Sequence, residues 1–171
     1  QEMQDDALGN ITTSYNAGST VKGATILTGY QTGAIKPGQV MVDAPMQIKG
    51  TPIKKSWKTL GSINDLMALR RSSNVYMFKT AISIGGGNYE YNQSLGIGTN
   101  TPAFDTIRQS FSQFGLGVRT GIDLPNETIG YKGPLKQPGF LLDLAIGQYD
   151  TYSTMQLAQY VSTIANGGYR I

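Results

Sequence analysis

Two short stretches of the chain hold residues whose types and spacing could do chemistry. Ser19-Thr20-Val21-Lys22 has the form Ser-x-x-Lys. On a helix, residues three apart share a face, so the lysine ammonium group can reach the serine hydroxyl. A helix starting at the serine would favour an oxyanion there and lower the lysine pKa. A neutral lysine then serves as a base for a serine nucleophile. The same spacing also arises where a serine caps a helix and a surface lysine follows. Ser72-Ser73-Asn74 has the form Ser-x-Asn. It offers a second hydroxyl and an amide, although Asn74 could simply cap the next helix.

The rest of the composition narrows this chemistry by exclusion. The 171 residues contain no cysteine and no histidine. A thiol nucleophile, a disulfide scaffold, a zinc finger and a Ser-His-Asp triad are all excluded. Any serine nucleophile must be activated by lysine, tyrosine or a carboxylate. Charged residues make up 15%, apolar residues 39%, and glycine fills 22 positions. This balance predicts a compact, loop-rich domain rather than a disordered chain. The net charge of +3 is mild and does not imply nucleic acid; Lys49, Lys54, Lys55 and Lys58 read as a solvated face. No apolar run approaches the about 20 residues of a membrane-spanning helix, and no signal peptide is visible. The opening Gln1-Glu2-Met3-Gln4 and the close at Gly168-Tyr169-Arg170-Ile171, read as a helix stop entering a strand, both look like cuts inside a longer protein.

The motifs need elements to position them. Residues 8–18 read as irregular loop. A helix is predicted from Ser19 to Tyr30, with Ser19 in its first turn. Residues 31–61 read as extended loops and small strands. Ser62 to Asp65 has the shape of a capping box, with Ile63, Leu66, Met67 and Leu69 filling the helix that follows. A second helix runs from Val75 to a stop at Gly85-Gly86-Gly87. Ser72-Ser73-Asn74 is therefore placed in a tight connection between helices, with Tyr76 and Met77 as core. Residues 88–101 read as surface loop. Phe104, Ile107, Phe111 and Phe114 mark a third helix closed by Gly115. The last predicted helix spans Ser153 to Ala165, with Leu157, Ala158, Val161, Ile164 and Ala165 as its buried face.

Ser-x-x-Lys followed by Ser-x-Asn and then Lys-Thr-Gly is the signature of penicillin-binding proteins and class A β-lactamases. The wider sequence is more specific. Asn16 to Thr25 resembles the nucleophile segment of class B penicillin-binding proteins, and so does Arg71-Ser72-Ser73-Asn74-Val75-Tyr76-Met77. Phe114-Gly115-Leu116-Gly117 leading to Thr120-Gly121-Ile122-Asp123-Leu124-Pro125 is similar to the same family. So are Ala145-Ile146-Gly147-Gln148-Tyr149, Met155 to Tyr160, and Ile164 to Gly168. The resemblance spans roughly residues 7 to 171 and looks most like elongation-type class B enzymes of low-GC Gram-positive bacteria.

The resemblance implies an α/β fold of the penicillin-binding protein/β-lactamase-like transpeptidase type. Residues 1–171 would be a partial transpeptidase domain, mostly helix and loop, lacking the later sheet strands and leaving an apolar helix face uncovered. It implies a peptidoglycan D,D-transpeptidase in which Ser19 is the nucleophile and Lys22 its base. Ser72 would relay a proton toward the leaving amine, and Asn74 would bind the substrate amide. Trp57, the sole tryptophan, could sit at the cleft rim or simply pack. The implied partners are the D-Ala-D-Ala stem peptide, β-lactam antibiotics that would acylate Ser19, and cell-wall elongation or division proteins. No metal or cofactor is expected. The implied location is the extracytoplasmic face of the bacterial plasma membrane, anchored by an N-terminal segment preceding these residues.

One departure stands out. No Lys-Thr-Gly or Lys-Ser-Gly occurs: Lys58-Thr59 is followed by Leu60 and precedes the Ser-x-Asn motif. In the family that strand binds the substrate carboxylate and supplies one oxyanion donor, so the 171 residues alone are expected neither to turn over nor to acylate efficiently. Three alternatives to the transpeptidase fit the sequence less well. A class A β-lactamase needs Glu-x-x-x-Asn after the second motif, but Glu90 and Glu127 are followed at that spacing by Ser94 and Tyr131. Asn74 argues against a class D enzyme or sensor domain. The intact Ser19, Lys22, Ser72 and Asn74 argue against a non-catalytic assembly scaffold.

Overall fold

The computed structural model describes residues 8–170. The reading of Gln1 to Gln4 lies outside the described residues, as does Ile171; the helix stop after Ala165 is present, but Tyr169 and Arg170 are not in a strand. A short helical segment over residues 8–12 leads into strand β1 (Ser14–Asn16) and a 3-10 turn (Gly18–Val21), which passes into α1 (Lys22–Gln31). Strands β2 (Met41–Asp43) and β3 (Gly61–Ile63) follow, then α2 (Asp65–Arg70), α3 (Asn74–Ile84), α4 (Ala103–Gln113) and α5 (Pro138–Ala145). Strand β4 (Thr151–Ser153) and α6 (Thr154–Ala165) complete the described elements. The strands form two antiparallel pairs, β1 with β4 and β2 with β3.

The core gathers around α3. Val75, Tyr76, Met77, Phe78, Thr80, Ala81 and Ile82 are all buried, because α3 has α1 on one side and α5 on the other. Tyr76 and Met77 are core residues, as the sequence predicts. α4 turns Phe104, Ile107 and Phe111 inward and is held to the start of β4 by an ion pair. Arg108 Nε and Nη2 each donate to a different oxygen of the buried Asp150 carboxylate at 2.8 Å.

Several expectations are corrected. The stretch read as loop before Ser19 contains both a helical segment and β1. Asn64, not Ser62, caps α2, by accepting the Met67 N–H at 2.9 Å; Ser62 pairs with Val42 across the small sheet instead. Leu66 is 72% exposed, and α2 buries Asp65 and Ala68, because Tyr30 and the Gly38 N–H both donate to the Asp65 carboxylate. α5 has no apolar period to reveal it: Leu141, Leu142, Leu144 and Ala145 are all buried, and Pro138 opens it where a missing N–H costs nothing. Leu95 and Ile97, in the stretch read as surface loop, are also core. Lys54 departs from the solvated lysines and pairs with Asp143.

α6 is predicted correctly as a helix, and Leu157 packs half-buried against the core as expected, but Ala158, Val161, Ile164 and Ala165 do not form its buried face. Ser153 caps it, and Ser153 and Gln156 form a reciprocal capping box. That box turns Gln156, Tyr160 and Thr163 inward, while Val161 and Ile164 remain exposed. Leu27 on α1 is exposed as well. Described residues of this structure are mainly helix and loop with a few short strands.

Candidate active site

The Ser-x-x-Lys segment is clamped from three directions. The β1–β4 pair fixes the chain just before it, with Asn16 opposite Thr151. The Gly18 N–H then donates to the Gly147 carbonyl at 2.9 Å. This approach is so close that a Cβ on Gly147, whose φ is +72°, would lie 2.4 Å from the Gly18 oxygen. From α6, the Tyr160 hydroxyl accepts the Ala24 N–H at 3.1 Å, satisfying a donor in the first turn of α1. At Gly23 a Cβ would come within 2.7 Å of that same hydroxyl oxygen. A third tie runs from the Thr25 hydroxyl to the Ala145 carbonyl at 2.7 Å.

Ser19 itself is exposed in the 3-10 turn, while Lys22 opens α1 and is 2% exposed. Burial lowers the Lys22 pKa from 10.5 to about 8, against the opposing pull of the Asp43 charge. Among the described residues no hydrogen bond joins Lys22 to Ser19 directly. Lys22 Nζ instead donates to the Ser72 carbonyl at 2.9 Å, the Ser72 hydroxyl at 3.1 Å and Asn74 Oδ1 at 2.6 Å. The Ser72 hydroxyl donates onward to Ser19 Oγ at 3.1 Å.

Ser72 makes these contacts from a left-handed backbone, with φ at +53°. Such a conformation is costly for a residue with a Cβ. Here it turns both the carbonyl and the hydroxyl of one residue toward Lys22. The middle serine of the motif, Ser73, caps α3 by accepting the Tyr76 N–H. Asn74 donates from Nδ2 to the Lys55 carbonyl at 3.3 Å.

The four motif residues Ser19, Lys22, Ser72 and Asn74 therefore meet in one cluster. Trp57 lies beside it at 67% exposure, donating from Nε1 to the Arg71 carbonyl at 2.8 Å, with the Arg71 guanidinium 5.9 Å from its ring centre. Sequence reasoning missed Gly147, Tyr160, Asp43 and Ser56, all of which hold this cluster from distant parts of the chain. Among the described residues, no group of His, Cys, Asp and Glu could hold a metal ion.

The family model described as the penicillin binding protein transpeptidase domain matches residues 1–171. The chain belongs to this transpeptidase family. Penicillin-binding protein 2A of Bacillus subtilis is 60% identical over 99% of the chain, which spans 24% of that protein. Penicillin-binding protein H of the same organism is 52% identical, again over 99% of the chain and 24% of the relative. A solved structure of penicillin-binding protein 2B from Streptococcus pneumoniae strain 5204 superimposes with a TM-score of 0.90. It is 40% identical, with 96% of this chain and 28% of that one covered. The chain thus spans about a quarter of the length of these penicillin-binding proteins, and its helices and few strands are part of their fold.

Proposed function

We propose that residues 1–171 are part of a transpeptidase domain and carry the acylating half of a serine-type peptidoglycan D,D-transpeptidase. The observation that carries this reading is the unbroken chain from Lys22 Nζ through the Ser72 hydroxyl to Ser19 Oγ. With Lys22 protonated, donation runs from lysine toward Ser19, and the Ser19 oxygen only accepts. Loss of the Lys22 proton lets the chain reverse: Ser19 donates to Ser72, and Ser72 donates to the neutral amine. Ser19 is then activated without histidine.

The Ser19 oxygen attacks the carbonyl carbon of the penultimate D-Ala of a stem peptide, and its proton passes through Ser72 to Lys22. When the C–N bond breaks, the leaving D-Ala amine takes that proton back by the same route. An amine of a neighbouring strand then attacks the ester, forms the new amide, and returns a proton to Ser19. No metal or cofactor enters these steps. The Ser19 N–H, in a turn with no side-chain cap, is offered to the developing oxyanion. Asn74 Nδ2, on its long bond to Lys55, is the donor offered to the substrate amide, and Trp57 borders the peptide's path. A β-lactam would acylate Ser19 but keep its leaving nitrogen tethered.

The second oxyanion donor belongs to a Lys-Thr-Gly strand that the 171 residues do not contain. One such donor is worth about a hundredfold or more in rate, so these residues alone neither turn over nor acylate efficiently. The whole protein would work at the extracytoplasmic face of the plasma membrane, anchored by a preceding segment, with cell-wall elongation or division proteins. Among the described residues, no helix is long and apolar enough to cross a membrane.

The test supplies the full-length protein with a D-Ala-D-Ala stem peptide and an amine acceptor. Release of D-Ala with formation of the cross-linked amide is expected. Hydrolysis without transfer, or no release at all, would refute the transpeptidase reading.

A further inference from the structure

Asp43 belongs to neither motif, yet the side of the Ser-x-Asn turn that faces away from Lys22 leads to it. It ends β2 and is 2% exposed. Its Oδ2 accepts the Ser56 hydroxyl at 2.6 Å and also the Ser73 hydroxyl. Ser56 Oγ in turn accepts the N–H groups of Asn74 at 2.9 Å and Val75 at 3.1 Å. Ser73 Oγ accepts the N–H of Tyr76 at 2.9 Å. The first three N–H groups of α3 therefore end, through two hydroxyls, on one carboxylate oxygen. A buried carboxylate needs donors, and a helix start needs acceptors and negative charge. Each need is met by the other.

Across the same turn, the Ser72 carbonyl, the Ser72 hydroxyl and Asn74 Oδ1 receive Lys22. The turn is thus gripped between a buried cation and a buried anion. We propose that Asp43 is a positioning residue for acylation: through Ser56 and Ser73 it fixes the left-handed Ser72 turn, and with it the hydroxyl and carbonyl that receive Lys22. This rests on the acyl-enzyme reading above.

The charges that face Asp43 are few. Lys22 comes from α1. Lys79 comes from α3; its Nζ donates to the Val42 carbonyl, and burial lowers its pKa while the Asp43 charge opposes that fall. Lys55 and Lys58 line the surface cleft that reaches Asp43, and the residue paired with Asp43 on β3 is Gly61. Asp43 opposes the downward shift that burial imposes on Lys22. Removing its charge lets the Lys22 pKa fall further, so the neutral base persists to lower pH.

The experiment follows the rate of fluorescent-penicillin labelling of the full-length protein against pH, for the wild type, Asp43→Asn and Ser56→Ala. Asp43→Asn should label at least about tenfold more slowly, since misplacement near 1 Å costs on the order of a hundredfold. Its acidic midpoint should move down. Ser56→Ala keeps the charge but frees two helix N–H groups, so its rate should fall while its midpoint stays in place. An Asp43→Asn protein labelling at the wild-type rate, or slowed with an unmoved midpoint, would overturn the proposal. If Asp43→Asn does not melt cooperatively, Ser56→Ala decides, and a wild-type rate there overturns it. Labelling that survives Ser19→Ala would instead remove the acyl-enzyme reading and leave the Asp43 geometry untouched.

Discussion

The Ser72 hydroxyl stands 3.1 Å from the Ser19 hydroxyl and donates to it. Ser72 also accepts from Lys22, so it stands between the proposed base and the proposed nucleophile. A relay of this kind makes the hydroxyl of Ser72 indispensable and its backbone conformation expensive. Those two properties can be separated. Ser72→Ala loses the hydroxyl and keeps a Cβ at φ +53°, whereas Ser72→Gly loses the hydroxyl and relieves the strain. Both should lose labelling by a fluorescent penicillin, and Ser72→Gly should be the more stable by about 1 kcal/mol in denaturant unfolding. Near-wild-type labelling of either variant would contradict the relay.

The charge state of Lys22 makes a second prediction. Its pKa is lowered by burial to about 8, and in the proposed mechanism the neutral amine is the working form. Labelling should therefore rise with pH through about 8 and fall away below it. Lys22→Arg should not label at any pH below 10, because a guanidinium does not give up its proton. Labelling of the arginine variant would show that Lys22 is not the base.

Gly147 touches the chain one residue before Ser19, and nothing larger fits there. Gly147→Ala would drive a Cβ into the Gly18 backbone from a left-handed conformation. The expected cost is about 2 kcal/mol or more in stability, with slower labelling of whatever remains folded. Thermal unfolding beside the labelling rate checks both, and an unchanged protein would show that the two glycines do not meet in this way.

Tyr160 gives a subtler case. Tyr160→Phe keeps the ring but removes the oxygen that accepts the Ala24 N–H. A buried donor left alone costs about 1–3 kcal/mol. Unfolding in urea should show a loss in that range, with the midpoint of the labelling pH profile unmoved.

The sequence made some of this legible and hid the rest for physical reasons. Ser19, Lys22, Ser72 and Asn74 are visible because their spacing is local, α3 because its apolar stretch from Val75 to Ile82 ends at Gly85-Gly86-Gly87, and α4 because Phe104, Ile107 and Phe111 repeat with the helical period. Asp43, Ser56, Tyr160 and Gly147 are invisible because each acts on a partner far along the chain. The buried face of α6 is only partly legible because Val161 and Ile164 share the spacing of Tyr160 and Thr163. Hydropathy favours the first set. A capping box and a hydroxyl aimed at α1 decide for the second. α5 escaped because a helix apolar on nearly every side has no stripe.

The most direct measurement maps the adduct on the full-length protein. After incubation with a β-lactam, digestion and mass spectrometry should place one covalent acyl group on Ser19, and Ser19→Ala should carry none. An adduct on another residue, or one that persists in Ser19→Ala, would contradict the assignment of Ser19 as the nucleophile.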